Sequence, residues 1–292
     1  MRITGYRMID LSAAGTANAQ SAVADASAEV TSGLRVTKPS DDPVAWTAAQ
    51  RAKVRKTLAE GATGAVKISR DQIQQTDGAL GTLSDLLSQV RTLAVQGANG
   101  TYDANARTGL AAQVHGLFLS AIAAANTQSP GGEYLLAGGQ SLAAPFAPDG
   151  TYNGDAAARS VATDQSSTAI ATIPGSRLTA AFGVDVLPLL DKVATALAAN
   201  DLPGLQTTIG DLDTAVKQVA LTRTVTGGAM SVLDATVAAH AQLATNLQTQ
   251  ISSDVEVDMV AAATGLAKAS STLDASRTVS AHLIQLLQQN GG

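Results

Sequence analysis

Three histidines, His115, His240 and His282, are the side chains in this chain best suited to metal binding or proton transfer. None has a second histidine or a carboxylate three or four residues away, the spacing that sets two ligands on one helix face. Each is therefore read as a structural residue of a helix. Asp41 and Asp42 form a carboxylate pair, the type that can share acid and base roles or hold a cation. Pro43 follows directly, so Asp42 reads as a helix N-cap and Pro43 as the first helical residue, where its missing N–H costs nothing. Asp254, Glu256 and Asp258 alternate, but on a helix they spread over different faces, and no calcium-loop glycine or terminal glutamate follows. Gly131-Gly132 and Gly138-Gly139 fit neither of the phosphate-binding glycine patterns and read as turns. Between 134 and 186 stand Asp149, Asp155, Asp164 and Asp185, with no His, Glu or Lys to complete a nucleophile and its base. The chain has no cysteine, which excludes disulfides and thiolate chemistry. No catalytic residue, cofactor or metal ligand is assigned.

The stronger pattern is apolar and lies at both ends. Ile9, Thr16, Val23 and Val30 fall seven apart, with Ala13, Gln20, Ser27 and Leu34 as a companion row. Met259, Leu266, Leu273, Ser280 and Leu287 repeat the spacing near the other end, flanked by Ala262, Ala269, Ser276 and Leu283. This is the seam of a coiled coil, thinned by small and polar residues. Such helices hold poorly alone and better with neighbours packed around them. The seam residues Ile9, Val23, Val30, Leu34, Met259, Leu266, Leu273, Leu283 and Leu287 are the candidate assembly interface, with Asp41, Asp42 and Pro43 as a structural turn and cap.

Composition bounds the alternatives. Aromatic residues make up 3% of the chain, which suits closely packed Ala-rich helices better than a large globular core. The formal net charge of −5 and the lack of a long Lys/Arg run argue against nucleic acid as a partner. Lys53, Arg55 and Lys56 read as a solvated helix face. The N-terminus lacks the apolar core of a Sec signal, and no run of about 18 consecutive apolar residues predicts a membrane span.

Proline and glycine mark the elements. A long amphipathic helix is expected from Pro43 through Thr76, Leu80, Leu83, Leu87, Val90 and Ala94 to Asn99-Gly100. A second runs roughly from Asn105 to Asn126. Short strands are expected at Ser160-Val-Ala-Thr and at Ala169-Ile-Ala-Thr-Ile173, with Pro174-Gly175 assigned as their turn. Helix resumes after Pro188, breaks at Asn200-Asp201, restarts at Pro203 and softens at Gly227-Gly228. The expected fold is mainly α: an elongated nested helical bundle with terminal coiled-coil helices and a small β-rich insert. Its domains are 1–38 plus 255–292, 39–133 plus 187–254, and the insert 134–186.

With that arrangement, the sequence resembles the bacterial flagellin superfamily over nearly its whole length. The resemblance is carried by Thr31-Ser-Gly-Leu-Arg-Val-Thr-Lys-Pro-Ser-Asp-Asp-Pro43, Gln75-Thr-Asp-Gly-Ala-Leu80 and Thr92-Leu-Ala-Val-Gln-Gly-Ala-Asn-Gly-Thr101. Asp41-Asp42-Pro43, Tyr134-Leu-Leu-Ala-Gly138, Pro145-Phe146 and Tyr152-Asn-Gly-Asp155 are similar to the hook–filament junction branch rather than to flagellin itself. Leu136 departs from that branch's Phe, and Leu286-Leu-Gln-Gln-Asn-Gly-Gly292 lacks its short apolar ending. The resemblance implies a structural subunit that joins hook to filament. The implied partners are copies of itself in a ring, hook-associated protein 1, flagellin and an export chaperone, with neither nucleic acid nor membrane. It further implies an extracellular place on the flagellum, reached through the flagellar secretion apparatus without a cleaved signal. The alternatives are a divergent flagellin that forms the filament, an exported enzyme seated in the insert, and an adhesive role for the insert.

Overall fold

The computed structural model describes residues 2–164 and 166–289, apart from the side chains at 2–6, 287 and 288. It is mainly helical. In chain order, α1 (Arg2–Ser32), α2 (Pro43–Ala98) and α3 (Ala104–Ala125) precede a two-stranded sheet, β1 (Ser160–Ala162) and β2 (Thr168–Ile170); then come α4 (Val186–Ala198), α5 (Leu202–Val255) and α6 (Met259–Gln289). The chain divides into two compact units, 1–58 with 243–292, and 59–242. The dividing points 58/59 and 242/243 fall within α2 and α5.

Aspartate side chains start four of the helices. Asp42 Oδ1 accepts from the Val44 and Ala45 amides at 3.1 and 3.0 Å. Asp103 Oδ1 accepts from Ala106 at 2.7 Å, Asp201 Oδ1 from Gly204 at 3.0 Å, and Asp258 Oδ1 from Val260 at 2.9 Å. Each bond satisfies an amide that has no acceptor within the first helical turn. Asp254, Glu256 and Asp258 therefore do not share one helix. Asp254 closes α5, Glu256 pairs with Leu34 in an isolated bridge, and Asp258 opens α6.

Two other expectations are corrected, at Pro188 and at the hairpin turn, while the long helix over Gly227-Gly228 runs on as expected. Helix α4 begins at Val186, two residues before Pro188, because a proline in the first turn removes only an amide that has no helical acceptor. Helix α5 passes straight through Gly227-Gly228. There Thr226, Ala229 and Leu233 are buried, and this packing outweighs the weak helix preference of glycine. In the hairpin, Ser160 pairs with Ile170 and Ala162 with Thr168, so the strands are joined ahead of Thr168 and not at Pro174-Gly175. Pro174 instead precedes a 3-10 turn, Gly175–Leu178.

In the second unit, α3 lies on α4, and Leu80, Leu87, Val114, Phe118, Leu190, Leu197 and Leu212 form one core. Leu136, Phe146 and Leu178 from the loop-rich segment enter the same core. By length and composition α3 is apolar enough to cross a membrane, which differs from the sequence reading. Yet Arg107, Val114, Phe118 and Ala121 on it are buried within this unit. The hairpin contributes Ala169 and Val161 to a smaller cluster with Val66, Ile73 and Leu233. Along the surface, Arg70 pairs with Asp234 at 2.8 Å, Arg91 with Asp213 at 2.6 Å, and Arg223 donates from Nε and Nη2 to the two Asp77 carboxylate oxygens, each at 3.0 Å. Their order along the two helices shows α2 and α5 antiparallel, and such exposed pairs add little to stability.

Candidate assembly interface

In the first unit the two ends of the chain lie against each other. Hydroxyl contacts Ser12–Ser280 at 2.6 Å and Thr16–Ser276 at 3.1 Å make α1 and α6 antiparallel. The side of α1 turned to α6 carries Ser12, Thr16, Ala19, Val23, Ala26 and Val30, all buried or half-buried. Thr16, Val23 and Val30 of the first row hold their place, Ile9 is exposed, and the companion row is 12, 19, 26. Ala13, Gln20 and Ser27 are exposed. The sequence allowed either companion, since residues three and four after a seam position are equally near on a helix; the partner helix selects one. On α6 most of both rows faces inward: Ala262 and Leu273 are buried, and Leu266, Ala269, Ser276, Ser280 and Leu283 are half-buried, but Met259 is exposed.

The seam is thin. Ala19, Ala262 and Leu273 are its only buried apolar side chains among the described residues. A full leucine contributes roughly 1.5–3 kcal/mol on burial, an alanine methyl far less, so the pair is marginal. Around it many apolar groups stay in water. Ile9 is 38% exposed and Met259 51%, while Met8, Leu11, Val260, Val279 and Ile284 are also exposed. Ile9, Ala13, Ala17, Leu283 and Ile284 border an open groove of about 350 Å³ over Ser12, Thr16 and Ser280. The Leu287 side chain lies outside the described residues.

The joint between α1 and α2 is firmer. Gly33 ends α1 at φ 69°, a left-handed position suited to glycine, and its amide donates to Glu29 O at 2.8 Å. The Arg35 amide donates to Val255 O at 2.8 Å, and the Val257 amide donates to Gly33 O at 3.0 Å. Val36 then sits with Ala49, Ala52, Leu247, Ile251 and Val255 in a separate small core, against which Leu34 and Trp46 pack. Asp41 Oδ2 accepts from the Thr37 and Lys38 amides and the Thr37 hydroxyl, all at 3.1 Å. Partial desolvation pushes the Asp41 carboxyl up, but these donors together outweigh it and leave it below the ordinary value. The Ala45 amide, first of all, and Arg35 at 3.3 Å lower Asp42 likewise. Both carboxylates shape the turn and cap of Pro43.

The residues in the second unit that carried the resemblance are tied together in the same way. Tyr152 places its hydroxyl 2.6 Å from Asp155 O and 3.1 Å from Leu136 O. Asp155 Oδ1 accepts from Gly139 and Ala157 at 2.7 and 3.0 Å. Asn126 and Phe146 exchange two bonds, at 2.9 and 3.0 Å. Among the described residues there is no cluster of three metal-ligating side chains. His115 lies 3.8 Å from Asp191 on the surface, and His240 Nε2 contacts Thr163 O at 2.9 Å.

Residues 8–141 match the model of the bacterial flagellin N-terminal helical region. Over about half of its length the chain is similar to flagellar hook-associated protein 3. That protein of Salmonella typhimurium is 27% identical over 157 residues, 53% of this chain and 49% of the relative. The chain thus spans about half the length of the curated relatives it matches. A hook-associated-type flagellar protein from Vibrio parahaemolyticus shares the fold, with a TM-score of 0.68, 18% identity, and coverage of 74% of this chain and all of that one. FlgL of Xanthomonas campestris does so at 0.60 and 19% identity, covering 70% of this chain and 99% of its own.

Proposed function

We propose that this chain is a structural subunit of the bacterial flagellum that connects the hook to the flagellin filament. In this role it forms a ring with copies of itself, meets hook-associated protein 1 on one side and flagellin on the other, and is delivered by an export chaperone. It works outside the cell, having passed the flagellar secretion apparatus without a cleaved signal, and performs no catalysis. The observation that supports this most is the pairing of the two ends through a thin seam that leaves Met8, Leu11, Met259, Val260, Val279 and Ile284 in water. Side chains so placed are covered when neighbouring copies supply apolar surface, at ~25 cal/mol per Å² removed from water. Ile9, Val23, Val30, Leu34, Met259, Leu266, Leu273, Leu283 and Leu287 are the proposed assembly residues, with Asp41, Asp42 and Pro43 holding the turn behind them.

Labelling of a tagged copy on isolated flagella tests the role. A single band beside the hook is expected, and label along the filament would instead mark a filament protein. Leu273→Asp is expected to abolish incorporation while the unit at 59–242 keeps its helical signal. Incorporation of this variant at the wild-type level would overturn the assignment of the seam.

A further inference from the structure

We infer that the hydroxyl groups of Ser12, Thr16, Ser276 and Ser280 set the register in which the terminal helices pair. This rests on the reading of that helix pair as the assembly element.

All four hydroxyls occupy seam positions. Ser12 Oγ lies 2.6 Å from Ser280 Oγ, and Thr16 Oγ1 lies 3.0 Å from Ser280 Oγ and 3.1 Å from Ser276 Oγ. Thr16 also donates to the Ser12 carbonyl at 2.9 Å. Every proton then has an acceptor: Ser12 donates to Ser280, Ser280 and Ser276 donate to Thr16, and Thr16 donates to the carbonyl. Further along, the seam holds only small or aliphatic side chains: Ala19, Val23, Ala26 and Val30 against Ala262, Leu266, Ala269 and Leu273.

A seam of that kind specifies register weakly, because a slide of one heptad lays one apolar row on another. The hydroxyl cluster breaks this equivalence. A slide of seven residues puts Ser12 at the level of Leu273 or Leu287, and Thr16 at the level of Ala269 or Leu283. Each hydroxyl then faces carbon and loses its partner across the pair, whereas the observed register satisfies all four. A polar group at a seam position is a known way to give up stability for a single alignment. Here it also keeps the pair weak enough to need its neighbours.

The chain has no cysteine, so an introduced pair is its only thiol pair. In the full-length protein, Ala26→Cys with Leu266→Cys reports the observed register. Ala26→Cys with Met259→Cys, and Ala26→Cys with Leu273→Cys, report slides in the two directions. With the hydroxyls present, the first pair is expected to form disulfide about tenfold or more in excess of either slid pair. With Ser12→Ala, Thr16→Val, Ser276→Ala and Ser280→Ala combined, the three yields are expected to become comparable. Thr16→Ser alone is expected to keep the excess. An excess that survives the combined variant, or is missing from the wild-type background, overturns the inference. A chain that shows the excess yet never joins flagella overturns the assembly reading and leaves the register intact.

Discussion

The Arg107 Nε donates to the carbonyl oxygen of Gly97 at 2.7 Å, tying the first turn of α3 to the last turn of α2. The same guanidinium reaches Asn99 O at 3.0 Å and the side-chain oxygen of Asn200. Arg107 is 6% exposed and has no carboxylate partner among its hydrogen bonds, so its charge is met by the negative end of α2 and by amide oxygens. Arg107→Ala removes these bonds and leaves the Gly97 carbonyl unmet. A loss of about 2–4 kcal/mol in the unfolding free energy of the second unit is expected, measured by circular dichroism in denaturant.

Gly138 lies at φ 70°, and a Cβ there would meet the Asp155 side chain and come within 2.6 Å of the Asp155 carbonyl oxygen. Gly138→Ala adds both strain and a collision with backbone. It is expected to cost roughly 2–3 kcal/mol and to speed proteolysis of the 134–160 loop, with α1 and α6 unaffected.

Burial, first of all, pushes the Tyr152 hydroxyl up to about 12 from its ordinary 10.0. The unfolded chain gives up this proton earlier than the folded one. The stability from Tyr152 is therefore complete below pH 10.0 and is lost as pH rises toward about 12. Tyr152 is expected to ionise late in an alkaline absorbance titration. Tyr152→Phe is expected to lower stability at neutral pH by about 1 kcal/mol and to flatten its decline across that alkaline window.

Asp41 and Asp42 shift the opposite way. Their folded-state values lie below the ordinary 3.8, so what they contribute is complete above 3.8 and is lost as pH falls through the lower folded values. Amide exchange at Thr37, Lys38, Val44 and Ala45 is expected to quicken in acid, beyond its intrinsic pH dependence. Asp41→Ala is expected to release Thr37 and Lys38 at neutral pH, while Asp42→Asn keeps the cap and loses only the Arg35 contact.

The helices were legible because their signals are local. Asp42-Pro43 marks a start, Asn99-Gly100 follows an end, and the periodicity of Leu80, Leu83, Leu87 and Val90 names the buried side of α2. The seam of α6 could also be read directly. That of α1 was half legible: the row through Thr16 is correct, but choosing 12, 19 and 26 over 13, 20 and 27 required the partner helix. The hydroxyl cluster was hidden because Ser and Thr are common on solvated faces, and only the fold brings Ser12 to Ser280. In the loop-rich segment the turn residues showed where the chain bends. They did not show that Tyr152, Asp155 and Gly138 hold one another, because those bonds span loops with no period.

The chain has one tryptophan, and it packs where Val36, Ile251 and Val255 meet, its amide bonded to Asp42 O at 2.9 Å. Indole emission from this protein therefore has a single address. It falls at the root of the two terminal helices rather than on the leucine-rich body at 59–242. Ordering of the tails, or arrival of another molecule beside that root, can be followed as a colour change without any label. The body, lacking an indole, stays silent at the same wavelength and serves as the dark background.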